Sequence, residues 1–142
     1  MKRICGFSMI ELLVAVAIVS ILASIGIPAY RDYVRRGKLA EAYTNLASQR
    51  VKMEQFYQDA RTYNNACQNG TVAPKPTDTI NFRYTCAIAD QTYTVTATGL
   101  ATGNLLGFVF TVDQNNNRAT TGVPAGWTTA ATCWVRNKDG SC

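Results

Sequence analysis

From Gly6 to Tyr30 the chain reads GFSMIELLVAVAIVSILASIGIPAY, and the part from Leu12 to Tyr30 carries no charge. Leu12 to Ala29 alone is 18 residues, long enough for a helix to cross a bilayer. No other stretch constrains the chain as strongly. Lys2 and Arg3 precede it, which predicts a cytoplasmic N-terminal end. One reading is a permanent anchor. Another is a secretory signal, with Ala23, Ser24 and Gly26 as the small residues of a cleavage site. Glu11 fits neither well. An unpaired carboxylate at the edge of hydrocarbon costs several kcal/mol. A local account exists: Ser8 at the N-cap and Glu11 three positions on form a capping box, and acids favour a helix's first turn. The other account is that the charge awaits a partner outside this chain.

The stretch KRICGFSMIELL resembles the leader and processing site of the type IV prepilins. It has a short basic leader, then Gly6 and Phe7, then a glutamate four places beyond the phenylalanine. Ile10-Glu11-Leu12 and the apolar run leading to Pro28 and Tyr30 match the pattern. Ser8 and Met9 stand where the family usually has threonine and leucine. The close likeness covers about 60 residues. The resemblance implies that a membrane-embedded prepilin peptidase cuts after Gly6 on the cytoplasmic face and that Phe7 becomes the N-methylated first residue. It implies a single-pass inner-membrane precursor, then an extracellular filament whose core is the apolar helix. Glu11 would pair with the Phe7 amine of a neighbouring subunit. Such a pair sets register more than it adds net stability. The partners implied are other pilin subunits, the peptidase, the inner-membrane assembly machinery and the membrane itself. Cleavage would remove Cys5 and two of 14 basic residues against 9 acids, leaving +3 from the formal +5.

The expected organisation is a leader at 1–6, a membrane and filament-core segment at 7–34, and a globular domain at 35–142. Within the last, Leu39, Tyr43, Leu46, Met53 and Phe56 or Tyr57 recur near helical period. One helix is therefore expected from Ser8 to about Ala60, with Pro28 removing a backbone donor and kinking it; the resemblance also implies that Pro28 serves assembly, since filament cores of related pilins unwind locally before this proline. Gly26 and Gly37 are weaker points in it. Residues 61–79 read as loop, with TYNNACQNGTVAPKPTD rich in proline and asparagine. Three alternating segments follow. Ile80, Phe82, Tyr84 and Cys86 share one face, then Tyr93, Val95 and Ala97, then Phe108, Phe110 and Val112. The fold class is α+β: a long N-terminal helix whose C-terminal half packs on an antiparallel sheet of three or four strands, with disulfide-stapled loops, as in the pilins.

Four of the five cysteines lie beyond residue 60, as in an oxidising compartment. Four permit three connectivities. The expected pairs are Cys67 with Cys86, tying the loop to the first strand, and Cys133 with Cys142, which resembles the family's C-terminal disulfide loop. Each would add about 3 kcal/mol in the chain-entropy model. Asp113 to Arg118, DQNNNR, opens like a calcium loop, but Arg118 replaces the glycine and the twelfth position is Pro124. A β-turn is expected there, and no metal or cofactor. The type II secretion pseudopilins share this N-terminus, and their major member carries a calcium site. The disulfide loop and the missing ligands favour a pilus subunit.

The chain has no histidine and no nucleophile–base pair or phosphate-binding glycine loop, so no enzyme is expected. Arg118, Trp127, Trp134, Arg136 and Lys138 interleave cations with aromatics, the composition of a DNA-contacting surface. A solvated basic loop is the plainer reading. The expected function is a structural pilus subunit serving motility, adhesion or DNA uptake. The alternatives are a filament-displayed minor pilin that binds DNA, and a pseudopilin.

Overall fold

The structure is a computed structural model that describes residues 8–142; Gly6 and Phe7 lie outside the described residues. The chain divides into two compact units, Met1–Val34 and Arg35–Cys142. One helix, α1 (Met9–Ala60), contributes to both.

In the first unit α1 begins directly after Ser8, whose carbonyl accepts the Leu12 N–H at 3.2 Å. Glu11 lies in the first turn and is exposed. Apart from Ser20 and Ser24, the side chains from Leu12 to Ile27 are apolar, and most of them are exposed. This part of α1 is long and apolar enough to cross a membrane, with a mean hydropathy of 2.6. Its two hydroxyls turn inward on the helix: Ser20 donates to the Val16 carbonyl and Ser24 to the Ile21 carbonyl, each at 2.7 Å. Hydroxyls satisfied this way ask nothing of their surroundings. The helix continues through Pro28 and Gly37.

In the second unit α1 buries Leu39, Ala42, Leu46, Gln49 and Met53, a three-four spacing that keeps one stripe on one side. That stripe covers a four-stranded antiparallel meander of β1 (Phe82–Ile88), β2 (Tyr93–Gly99), β3 (Val109–Asp113) and β4 (Arg118–Gly122), in the order β1-β2-β3-β4. The registers Tyr84↔Ala97 and Ala97↔Phe110 place alternate residues of neighbouring strands side by side. Phe82, Tyr84, Tyr93, Val95, Ala97, Phe110 and Val112 are all buried on the helix side. Phe108 precedes β3 by one residue and is buried too. The register shifts between Val109 and Phe110 where β3 meets β4.

The helix ends at Ala60. Arg61 takes a left-handed φ of 57° and its N–H returns to the Tyr57 carbonyl at 2.8 Å, closing the last turn. At the end of β2, Gly99 is required by a close approach: a Cβ there would lie 2.1 Å from the Leu105 carbonyl oxygen.

Two side chains depart from the alternation expected of the first strand. Ile80 is 74% exposed and precedes β1. Thr79 turns the chain there: its hydroxyl accepts the N–H groups of Asn81 and Phe82 and donates to Glu41. Cys86 is only half-buried, because it is bonded to Cys67 in the loop before β1. Cys133 and Cys142 form the second disulfide. Gln49, a polar residue in the stripe, was not expected in the core. It is 1% exposed, and its amide donates to the Ala73 carbonyl at 3.3 Å.

Truncating the centre of the stripe should be costly. Leu46→Ala is expected to lower stability by about 2–5 kcal/mol, read from the denaturant midpoint of the tertiary circular-dichroism signal; a loss below about 1 kcal/mol would mean the stripe is not the core. Acid should weaken one surface tie as well. The Asp78 carboxyl is held below its usual range, first by the Lys75 ammonium and then by the Tyr84 N–H. A lowered folded pKa gives stability that is present above the unfolded value and lost as pH falls through the folded one. Asp78→Asn should therefore lower stability modestly at neutral pH, flatten the acid limb of the stability–pH curve below about pH 4, and converge with wild type in stronger acid.

Candidate functional site

The site with most convergent polar chemistry in the second unit is the C-terminal loop. Thr120 of β4 anchors it. This residue is 1% exposed; its hydroxyl donates to the Cys133 carbonyl at 2.9 Å and accepts the Val135 N–H at 3.0 Å. Its backbone exchanges hydrogen bonds with Ala130. Tyr43 reaches across from α1 and donates its hydroxyl to the Val135 carbonyl at 2.5 Å. Burial pushes the Tyr43 phenol well above its ordinary range, against the opposing pull of Arg136, so it stays a neutral donor. Inside the disulfide, the Arg136 N–H donates to the Ser141 carbonyl at 2.8 Å and the Ser141 N–H to the Asp139 carboxylate at 3.0 Å. The Cys133–Cys142 bond thus closes a loop that already folds back on itself.

Three of the five residues expected at a DNA surface meet here. Arg118, Trp134 and Arg136 line a cleft of about 190 Å³, with Tyr43 and both cysteines of the disulfide. The Trp134 indole stacks on Tyr43 with ring centroids 5.6 Å apart and donates Nε1–H to the Thr111 carbonyl at 2.8 Å. The Arg118 guanidinium lies over the Trp134 ring, 4.8 Å from its centroid, in cation–π range. At 7% exposure Trp134 is a pillar under Arg118, not an open platform for a base. Both arginines are exposed.

The other two lie elsewhere in the loop. Trp127 packs edge-on against Phe108 at 4.9 Å, and its Nε1 is buried without a hydrogen-bond partner. Lys138 is tied through its carbonyl, which accepts the Thr128 N–H at 3.0 Å. Tyr43 and Thr120 were missed as members of this site. Tyr43 was legible only as part of the helix stripe, and Thr120 carried no signal beyond strand propensity.

The Asp113 turn uses its acid locally. Asp113 Oδ1 accepts the N–H groups of Asn115 and Asn117 at 2.9 and 2.8 Å, and Oδ2 accepts the Asn117 amide at 2.8 Å. This is an Asx turn joining β3 to β4. Among the described residues no group of three or more His, Cys, Asp or Glu side chains is placed to hold a metal.

Comparison with known proteins gives the family. A profile described as "Type IV minor pilin ComP, DNA uptake sequence receptor" matches residues 28–104, and one for the prokaryotic N-terminal methylation motif matches residues 1–27. The "Prepilin peptidase-dependent protein D" of Escherichia coli K12 is 32% identical over 87% of this chain and 80% of its own length. The "Fimbrial protein EcpC" of Eikenella corrodens is 43% identical over 38% of this chain, and a "Type IV major pilin protein PilE1" of Neisseria gonorrhoeae 34% identical over 69%. The chain spans 35% and 59% of the length of those two. Among solved structures, the Neisseria meningitidis non-core minor pilin PilV shares the fold, with a TM-score of 0.55, 21% identity and coverage of 65% of this chain and 91% of its own. The chain belongs to the type IV pilins, and within them to the minor pilins that the profile over residues 28–104 describes.

Proposed function

We propose that this protein is a structural subunit of a type IV pilus, made as a single-pass inner-membrane prepilin and assembled through its N-terminal helix. One observation carries the reading: a single carboxylate, Glu11, stands in the first turn of a helix whose apolar side chains are exposed for membrane length. A charge there is costly until a cation meets it. Cleavage after Gly6 creates such a cation, the Phe7 amine, and the amine of a neighbouring subunit meets Glu11 only at one axial stagger. The methylation-motif match over residues 1–27 supports this processing. The partners are then other pilin subunits, the prepilin peptidase and the assembly machinery of the inner membrane, with the second unit displayed outside the cell. The likeness to fimbrial and pilin proteins favours a pilus over a secretion pseudopilus.

A second reading is favoured by the ComP profile: the displayed unit also contacts DNA for uptake. Arg118 and Arg136 supply two cations beside one cleft, and a guanidinium fixed over an indole is a pre-oriented phosphate donor. These residues lie beyond the matched span of 28–104, so the reading rests on their chemistry. With a net charge near +3 after cleavage, few phosphates are neutralised.

Three experiments test these readings. Gly6→Val should leave the precursor uncleaved, and wild-type protein should begin at methylated Phe7 by mass spectrometry. Glu11→Ala should be inserted and cleaved yet missing from sheared pili on immunoblot; normal incorporation would reduce Glu11 to a helix cap. For DNA, a gel-shift titration across salt should give a slope of about −2 to −4 in log K against log salt, near −0.9 per phosphate. Replacing Arg118 and Arg136 by alanine should abolish binding while pili still form. Binding unchanged in that double variant would remove the cleft from the interface.

A further inference from the structure

The Asn69–Gly70 step lies outside the assembly helix and outside the arginine cleft. It is the chain's one asparagine followed directly by glycine. Asn69 is exposed. The two residues form the corner of a turn closed by Thr71, whose N–H and hydroxyl both donate to the Gln68 carbonyl, at 3.3 and 2.8 Å. Gly70 has a φ of +88°, and a Cβ built on it would meet nothing within 4 Å. A turn of this shape asks for glycine, which accounts for the pair as local structure. The same pair also sets an unshielded backbone nitrogen next to a side-chain amide.

We propose that Asn69 is a site of spontaneous deamidation in the folded pilin. The Gly70 nitrogen gives up its proton to base and attacks Cγ of Asn69. A Cγ–N bond forms, the Cγ–Nδ2 bond breaks, and the amide nitrogen leaves as ammonia after taking up a proton. The product is a five-membered succinimide. Water then opens one of its two carbonyls, giving aspartate or isoaspartate. The net change consumes one water and releases one ammonia, with no oxidant or reductant.

The surroundings single this residue out. At three of the other loop asparagines the nitrogen that would attack is already engaged as a donor. Ala66 N, following Asn65, donates to the Tyr63 carbonyl at 2.9 Å. Leu105 N, following Asn104, donates to the Leu100 carbonyl at 3.0 Å. Asn117 N, following Asn116, donates to the Asp113 carboxylate at 2.8 Å. At the Asn69 turn the closing donor is Thr71, one residue past the nitrogen that reacts.

The product would also change its neighbourhood. Asn69 lines an open cleft with Cys67, Gln68, Lys75 and Asp78. Lys75 there donates to the Asp78 carboxylate at 2.6 Å, and Asp78 in turn accepts the Tyr84 N–H of β1 at 2.9 Å. A new carboxylate at residue 69 brings a second anion to the one lysine of this cleft. A displayed subunit that outlives its synthesis would thus become more acidic with age beside the disulfide that ties this loop to β1.

The test uses the full chain in detergent micelles, incubated at mildly alkaline pH and followed by peptide mapping with mass spectrometry. Asn69 should convert at least about tenfold faster than Asn65, Asn104 or Asn116, since glycine alone leaves its nitrogen unshielded by a Cβ. Both aspartate and isoaspartate should appear, and the rate should rise with hydroxide. Asn69→Gln should stop the conversion at this peptide, since closing the larger ring is slower, and isoelectric focusing of the aged variant should lose the new acidic band. Conversion led by another asparagine, or an acidic band that persists in Asn69→Gln, would overturn the proposal. The ranking within wild type is read from unmutated protein, so it holds whether or not the variant folds.

Discussion

A helix satisfies its own backbone, and everything else in this molecule depends on that. Because the N–H and C=O groups of α1 pair within the helix, the same element can carry a bare apolar sleeve in one unit and a core stripe in the other. What differs between the two parts is the side chains. From Leu12 to Ile27 they are apolar all round, and the two serines return their hydroxyls to their own helix. From Leu39 to Met53 only one side is apolar, and that side is buried against the sheet. A sheet could not serve both ends, since its edge would leave donors and acceptors bare in hydrocarbon.

The polar residues beside the stripe take a second part of the work. Successive turns of α1 each fasten a different segment of the second unit. Lys38 donates to the Gly103 carbonyl in the connection between β2 and β3. Glu41 accepts from Thr79 and Asn81 ahead of β1. Tyr43 holds the C-terminal loop through the Val135 carbonyl. Asn45 donates to the Tyr84 hydroxyl, Gln49 to the Ala73 carbonyl, and Tyr57 to the Gln91 side chain. Loops that lack regular structure of their own are thereby held by the one element that has most of it. Each bond is worth only about 1 kcal/mol net, but a buried group left without its partner costs more than that, so the row specifies loop positions more than it adds stability.

How much of this was legible depended on whether the signal was periodic or singular. The helix and its stripe follow a 3.6 period, and the burial of Tyr93, Val95 and Ala97 follows a period of two; both could be read directly. Ile80 was misplaced because alternation ran one step too far. The Thr79 turn that ends it depends on Glu41, 38 residues earlier, and no local pattern encodes such a contact. Gln49 was unreadable for the same reason, since its partner is a loop carbonyl. In the C-terminal loop the composition pointed to arginines and tryptophans. It could not tell which aromatic faced water and which stood in the core. Trp134 is buried because Tyr43, 91 residues away, stacks on it, and that distance separates composition from geometry.

The arginine cleft also shows why scaffold and receptor need not compete. The groups that hold Arg118 and Arg136 in place, namely Thr120, Tyr43, Trp134 and the Cys133–Cys142 bond, all belong to the second unit. The proposed assembly draws on Glu11 and the apolar helix, so the chemistry of one reading does not draw on the residues of the other. A single cleft with two guanidiniums is a weak site for a polyanion, because only a few counterions are released when it binds. A filament changes the arithmetic. Copies displayed along one fibre turn a second contact into an intramolecular event, and avidity can then exceed the affinity of one copy by about a hundredfold or more when the spacing lets two sites engage the same strand. A subunit incorporated sparsely gains little from this, and there each cleft must hold DNA alone. The number of copies per filament, more than the affinity of the cleft, therefore decides whether a surface of this kind acts as a receptor or as a solvated basic loop.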